Sequence, residues 1–350
     1  MSDLARWKVR GPVRTLRNEH AEWDPSQDTW RAPRSFSIVT FRHDGQVSDR
    51  ECHNPDGSVA RSAHVYDDDG RIIEAQSWMN EGPRSRVVYS YDALGRLAAA
   101  EHIAADGTRR EAETCRYDCA GRRTKVTFLS RDRTDGPISY GVEGTEHAYG
   151  APEAVTLTVV YDDRALPAEA SFHDANGGLV RRIVFSRDHE GRLMTEIVHF
   201  EGESPFPELQ PHADNVPLEK RASLAAELKM AFVDRVFCNM ANAYDTKGRL
   251  LERTTSIGIL SEERTTFEYD DYDHPIAETS HSRNRRVDVD DDGVVHTTEE
   301  EPAVQQHSRY GYQYDSHRNW TERVGSYRIG SQAEFQRSSI ERRTITYYEP

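Results

Sequence analysis

A seven-residue phrase, Tyr-Asp-x-x-Gly-Arg-Leu, returns along this chain of 350 residues. A phrase that recurs at a fixed pitch commits a sequence to a repeat architecture before any other property is consulted. Full copies start at Tyr66 (with Ile72 for the leucine), Tyr91 and Tyr244, and the copy at Tyr117 is nearly complete through Gly121 and Arg122. Weaker copies keep the frame from Phe41, Tyr161, Arg187, Tyr269 and Tyr314; the one at Tyr161 lacks the glycine and reads one residue short. Successive starts are 25, 25, 26, 44, 26, 57, 25 and 45 residues apart, so a unit is 25 or 26 residues long and is interrupted three times.

Residues leading into each tyrosine alternate, as in Val87, Tyr89 and Tyr91, in Leu157, Val159 and Tyr161, and in Tyr310, Tyr312 and Tyr314. A period of two is the signature of a strand. The Asp-x-x-Gly that follows supplies an acceptor side chain and a residue tolerant of positive φ, the chemistry of a tight reversal. A second turn signal lies midway in the unit, at Asn54 to Gly57, Asn80 to Gly82, Asp106-Gly107 and Asn176-Gly177. Each unit therefore reads strand, turn, strand, turn.

Nine units make roughly 18 strands, and at about 4.8 Å each the sheet would be about 85 Å wide, beyond what an open twisted sheet tolerates. The expected fold class is all-β: an antiparallel sheet of about nine hairpins curling into a partial shell or narrow barrel. Closing it into a ring gives a diameter of about 27 Å, leaving room for a narrow cavity only. The tyrosine recurs once per unit on one face, which predicts a tyrosine-lined inner surface and a charged outer one. Its residues Tyr91, Tyr117, Tyr161, Tyr269 and Tyr314 are the candidate ligand contacts.

The repeated phrase, over about residues 35 to 350, strongly resembles the YD-repeat family of Rhs proteins, the C component of insecticidal toxin complexes, and teneurins. The resemblance implies a spiralling hairpin sheet that forms a shell, in proteins devoted to export, encapsulation or adhesion. Rhs toxins end the shell with a self-cleavage segment and a toxin domain; this sequence ends in another strand, Arg343 to Pro350. The last copy also departs from the pattern, with Arg318, Asn319 and Trp320 where Gly, Arg and Leu are usual, as a cap would.

The interruptions divide the single YD-repeat domain, 1-350. Residues 130-154, with Gly136-Pro137, Gly141, Gly144 and Gly150, read as an irregular loop. Residues 200-243 begin Pro-rich and then carry Leu218, Ala222, Ala225, Leu228 and Phe232 at helical spacing after Pro217, predicting one helix near 217-235. Its apolar stripe suits a plug over a sheet edge, or else a docking face. Residues 281-303 form an acidic hairpin in which Asp288, Asp290, Asp292, Val294 and Glu299 match the D-x-D-x-D-G-x5-E spacing of a calcium loop, with Gly293 at the sharp turn. The flanks do not read as the two helices of an EF-hand, so calcium competes with a plain solvated acidic tip.

Sixty acidic against 45 basic residues give a net charge of -15, which disfavours nucleic acid and acidic membranes as partners. No apolar leader or membrane-spanning run is present, which leads to a cytoplasmic expectation, with export by a route lacking a cleaved signal left open. Cys52, Cys115, Cys119 and Cys238 lack metal-site or disulfide spacing and read as incidental thiols. Hydrolase, metalloprotease, phosphate-loop and dinucleotide fingerprints are missing, so enzyme activity is not favoured. The expectation is a non-enzymatic binding or scaffold protein, taking a glycan or peptide, or a protein partner, on the tyrosine face. The alternatives are a polysaccharide hydrolase working in the same cavity and a separated shell component of an Rhs-type toxin system.

Overall fold

The computed structural model of the protein describes residues 3–33, 35–128, 139–141, 148–150, 155–201, 232, 235–289, 295–332 and 334–349. As the repeat requires, the chain is all-β: the described residues form 23 strands and one four-residue helical turn, α1 (Asp3–Arg6). In chain order the strands are β1 (Val13–Asp24), β2 (Thr29–Trp30), β3 (Ser35–Phe41), β4 (Val47–His53), β5 (Val59–Tyr66), β6 (Ile72–Met79), β7 (Ser85–Tyr91) and β8 (Leu97–Ile103). They continue as β9 (Arg109–Tyr117), β10 (Arg123–Phe128), β11 (Ser139–Gly141), β12 (Ala148–Gly150), β13 (Thr156–Tyr161), β14 (Pro167–His173), β15 (Leu179–Arg187) and β16 (Leu193–Phe200). The last are β17 (Val236–Tyr244), β18 (Leu250–Ile257), β19 (Ser261–Tyr269), β20 (Pro275–Val289), β21 (Val295–Tyr314), β22 (Trp320–Ile329) and β23 (Gln336–Tyr347). They fall into two compact units: Met1–Glu113 with Tyr269–Ala277 and His307–Pro350, and Thr114–Glu268 with Glu278–Gln306.

The repeat turns share one construction. In the copy at Tyr91, the Gly95 amide donates to the Asp92 carbonyl (2.9 Å) and the Asp92 amide to the Arg96 carbonyl (2.8 Å). Asp92 Oδ1 accepts from the amides of Leu94 and Arg96 at 2.9 and 3.0 Å, and Oδ2 accepts from Arg96 Nε at 2.7 Å. The carboxylate thus satisfies turn amides that strand pairing leaves over, and the arginine neutralises it, which is why the two recur together. The same contacts recur at Asp67, Asp118, Asp188 and Asp245. Gly95 takes φ 76°, where an added Cβ would also lie 2.8 Å from Arg71 Nη1.

The copy at Tyr161 is not a residue short. Its Asp162 amide bonds the Leu166 carbonyl and its Ala165 amide the Asp162 carbonyl, so Ala165 occupies the glycine place at φ 62°. Asp273 and Arg318 do the same in their copies, at 67° and 64°. Just beyond six of these turns the ladder slips: Tyr66 pairs with Ile72 but Val65 with Glu74, and the shift recurs at Phe41, Tyr91, Tyr161, Arg187 and Tyr244. One residue of each return strand is left over as a bulge, which strengthens local twist. Ile73 and Leu251 hold this place and are correspondingly exposed.

In the second unit, rows of facing residues build an apolar core: Val126, Leu157 and Phe172 in one row, Val159, Ala170, Ile183 and Val198 in the next. In the first unit the core is Val9, Val13, Leu16, Val39, Phe41 and Val47, covered by Leu4, Trp7, Ile345 and Tyr347. Leu16 is its centre, facing Val39 on one side and Ile345 on the other. β1 lies between β3 and β23 with antiparallel pairing to both, so the strand nearest one chain end and the strand nearest the other are hydrogen-bonded neighbours. Neither β3 nor β23 is left with a bare edge there.

Two of the interruptions differ from their sequence reading or lie outside it. Residues 130-154 were expected as an irregular loop, but β11 and β12 within them form an antiparallel pair in which Tyr140 faces Tyr149. The helix expected near 217-235 lies outside the described residues, apart from Phe232 and Arg235. Phe232, the last member of the expected stripe, is buried against Phe200 (6.0 Å between ring centroids, edge-on) and Phe237 (6.1 Å).

Candidate functional site

Four of the repeat tyrosines are positioned through their hydroxyls by the hairpin before their own. Tyr66 donates to the Val47 carbonyl (2.6 Å), Tyr91 to Ile72 (2.6 Å), Tyr161 to Arg123 (2.7 Å) and Tyr244 to Leu193 (3.0 Å). The acceptor is always the first residue of the return strand in the preceding copy, just past its turn. The arginine of that turn covers the ring, Arg71 over Tyr91 at 5.1 Å, Arg122 over Tyr161 and Arg192 over Tyr244 at 5.2 Å. Burial pushes the Tyr66 hydroxyl up to about 12 and also raises that of Tyr91. The tie is the same where the copies are 25 residues apart and where they are 44 or 57 apart. The insertions therefore leave the sheet without altering how one hairpin is strapped to the next.

Of the candidate ligand contacts, Tyr91, Tyr117, Tyr161, Tyr269 and Tyr314 close β7, β9, β13, β19 and β21 respectively. They are spread one to a hairpin over both units rather than gathered at one point: Tyr91, Tyr269 and Tyr314 belong to the first, Tyr117 and Tyr161 to the second. Tyr314 departs from the carbonyl rule. Its hydroxyl donates to Asp270 Oδ2 and lies 3.0 Å from His274 Nδ1. Burial and the Asp270 carboxylate together push the phenol well above its ordinary range. In the candidate calcium loop, Asp290, Asp292 and Val294 lie outside the described residues; Asp288 and Glu299 fall within β20 and β21.

The tyrosine face has a different character in each unit. In the second it carries the aliphatic core. In the first, β4 to β7 place Arg50, Ser62, Ser77 and Ser85 in one facing row, and β5 to β8 place His64, Ala75, Val87 and His102 in the next. Arg50 and Ser77 are exposed and the others half-buried; Ser77 and Ser85 hydrogen-bond each other at 2.9 Å. The opposite face is charged as expected, with Glu51 between Arg61 (3.0 Å) and His53 (3.2 Å), and Arg264 on Glu252. A uniformly tyrosine-lined face is thus replaced by a polar stretch over β4 to β8 and by filled cores, one around Phe41 in the first unit and one in the second, because the residues between the tyrosines are serine, histidine and arginine in the first case and valine, isoleucine and phenylalanine in the others. The filled core of the second unit also buries two charged groups, Arg181 facing Phe172 and Glu196 in register between Phe185 and Met240; Glu196 Oε2 has no hydrogen-bond partner among the described residues.

The last copy gives the first unit its densest polar cluster. Asn319 stands where the repeat has arginine, is 2% exposed, accepts from the Arg10 amide (2.7 Å), and donates to the Arg10 carbonyl and Tyr347 hydroxyl, both at 2.9 Å. It clasps the segment that leads into β1. The Tyr347 hydroxyl in turn donates to Asp315. Pattern reading marked residues 318 to 320 as a departure; that Asn319 serves a segment more than 300 residues away had no signal in sequence.

No protein-family model matches the chain, and no curated protein matches it in sequence. Among solved structures it is similar to a chain of the Photorhabdus luminescens Tc holotoxin pore, at 8% identity and TM-score 0.36, over 86% of this chain and 16% of that one. It is similar to a chain of the TcdB2-TccC3-Cdc42 structure at 12% identity and TM-score 0.27, over 88% of this chain and 16% of that one. A porin-like protein from Bacteroides uniformis aligns at 9% identity and TM-score 0.34, over 96% and 98% of the two chains. The chain thus spans 16% of the length of the toxin chains it aligns with.

Proposed function

We propose that the protein is a non-enzymatic scaffold of the YD-repeat kind, and that the tyrosine face of its first unit binds an extended polar ligand, a glycan or peptide segment. One observation carries this reading: the row from Arg50 through Ser62 and Ser77 to Ser85 is polar and exposed or half-buried, on the face that in the second unit is filled with aliphatic side chains. A face that a fold does not need for its core, and that bears hydroxyls, imidazoles and a guanidinium between aromatic rings, suits hydrogen-bonding ligands. The tyrosines, Tyr91 and Tyr314 among them, enter by their rings, since their hydroxyls are committed to the fold. A protein partner presenting such a segment is included in the reading.

The test is glycan-array and peptide-array binding by the full chain, repeated with Ser62→Leu/Ser77→Leu, which extends the aliphatic character of the other unit across the row. Binding falls at least about tenfold in the variant while the melting temperature holds. Binding that survives the double substitution places the ligand elsewhere. Thermal melts of the full chain with calcium and with chelator test a further proposal, that Asp288, Asp290, Asp292, Val294 and Glu299 hold calcium: a melt raised by the ion and restored to its apo value by chelator supports it, and identical melts reject it.

A further inference from the structure

We propose that Arg343, together with Arg323, forms a charged subsite on the tyrosine face of the first unit and that this subsite receives a carboxylate group. The inference rests on the binding role proposed above and names the chemistry of its ligand.

Arg343 lies flat on Trp320, its Cζ 3.6 Å from the ring centroid, and its Nε donates to Asn18 Oδ1 at 3.1 Å. Its Nη1 is buried with no hydrogen-bond partner among the described residues. A guanidinium is an obligate donor set, and leaving one of its N–H groups unpaired out of water is costly. The carboxylate at hand, Glu341, is already held by Arg323, which faces it across the β22–β23 ladder and also lies over Tyr310 (5.3 Å) and Trp320 (5.8 Å). Two guanidiniums therefore share one indole ring and one carboxylate. Burial pushes Arg343 down to about 10, and Arg323 adds to that push while Glu341 opposes it.

The surroundings add positive charge. Lys8, Arg10 and Arg343 each act to lower the pKa of His274, which burial depresses first and Asp270 partly restores. Of the nearby acids, Asp270 is taken by Tyr314 and Asp315 by Tyr347. In a protein of net charge -15, three cations thus act on one imidazole. The overall charge repels a polyanion, whereas a single carboxylate meets the local field and matches the planar guanidinium fork. That chemistry comes from two sources, a free organic acid or an acidic sugar residue within a glycan.

Sodium glucuronate, sodium acetate and glucose are titrated calorimetrically into the full chain. Glucuronate binds and glucose binds more weakly; acetate as tight as glucuronate identifies a free acid as the source, and acetate weaker identifies the acidic sugar. Arg343→Met lowers glucuronate affinity at least about tenfold, and Arg343→Lys, which keeps the charge and loses the fork, also weakens it. Should Arg343→Met fail to fold, Glu341→Gln decides: it frees Arg323 and tightens glucuronate by roughly threefold. Glucuronate binding no better than glucose, or unmoved by either Arg343→Met or Glu341→Gln, overturns the carboxylate subsite. In that event glycan capture that still depends on Ser62 and Ser77 leaves the binding face standing, while loss of both results removes the two readings together.

Discussion

Ala165 and Asn319 each stand where the repeat has a different residue, and their surroundings give the two departures opposite meanings. Ala165 holds φ 62° in a turn otherwise built like its siblings, so its Cβ is a cost without a return. Ala165→Gly is expected to raise stability by about 1 kcal/mol in urea denaturation. Asn319→Arg is also a return to the consensus, yet it removes three hydrogen bonds to Arg10 and Tyr347 from a side chain 2% exposed. It is expected to destabilise by about 2 to 4 kcal/mol, and a neutral result would mean that the clasp on Arg10 is not made. The same contrast explains what could be read beforehand. That a residue departs from the pattern is visible in one sequence; whether it is strain or a bond depends on what lies opposite, and the partner here is hundreds of residues away.

The turn is the element that the repeat writes most clearly. Asp, Gly and Arg each answer a local need, and their spacing was enough to place every strand end at the tyrosines. The hydrogen bonds from Arg96, side chain first and then backbone, hold the Asp92 carboxyl below its ordinary 3.8. Because the folded pKa is the lower one, the stabilisation is complete above the unfolded value and is lost as pH falls through the folded one. Asp67, Asp118 and Asp245 are depressed likewise by the arginines of their turns. The urea midpoint is therefore expected to fall between about pH 5 and about pH 2, and to fall less in Asp92→Asn than in the parent. A pH-independent midpoint, or an equal loss in the variant, would detach the turns from acid stability. The bulge after each turn escaped the pattern, since an extra residue on a return strand carries no composition of its own; Ile73 and Leu251 betray it only by being apolar and exposed. The paired strands within 130-154 escaped for a similar reason, glycines there marking a loop and concealing a ladder.

Across the whole chain, the pairing that matters most is also the most remote: Val13 faces Tyr347, and Leu16 is buried completely between β3 and β23. Deleting residues 1–24 removes that strand and bares the facing edges of β3 and β23, so the truncated protein is expected to self-associate in sedimentation at concentrations where the full chain is unchanged. A truncated chain that sediments and melts like the parent would show that β1 closes nothing. By itself the sequence determined the all-β class, the hairpin unit and the turn chemistry, because these depend on periodicity and on contacts within a few residues. Tertiary structure alone decided that the first strand joins the last, that tyrosine hydroxyls strap successive hairpins, that the tyrosine face is polar over β4 to β8 and filled elsewhere by apolar cores, and that Arg343 sits beside a carboxylate already taken. Those outcomes follow from which residues meet across the sheet, and neighbours across a sheet are set by register summed over many strands, which no local pattern contains.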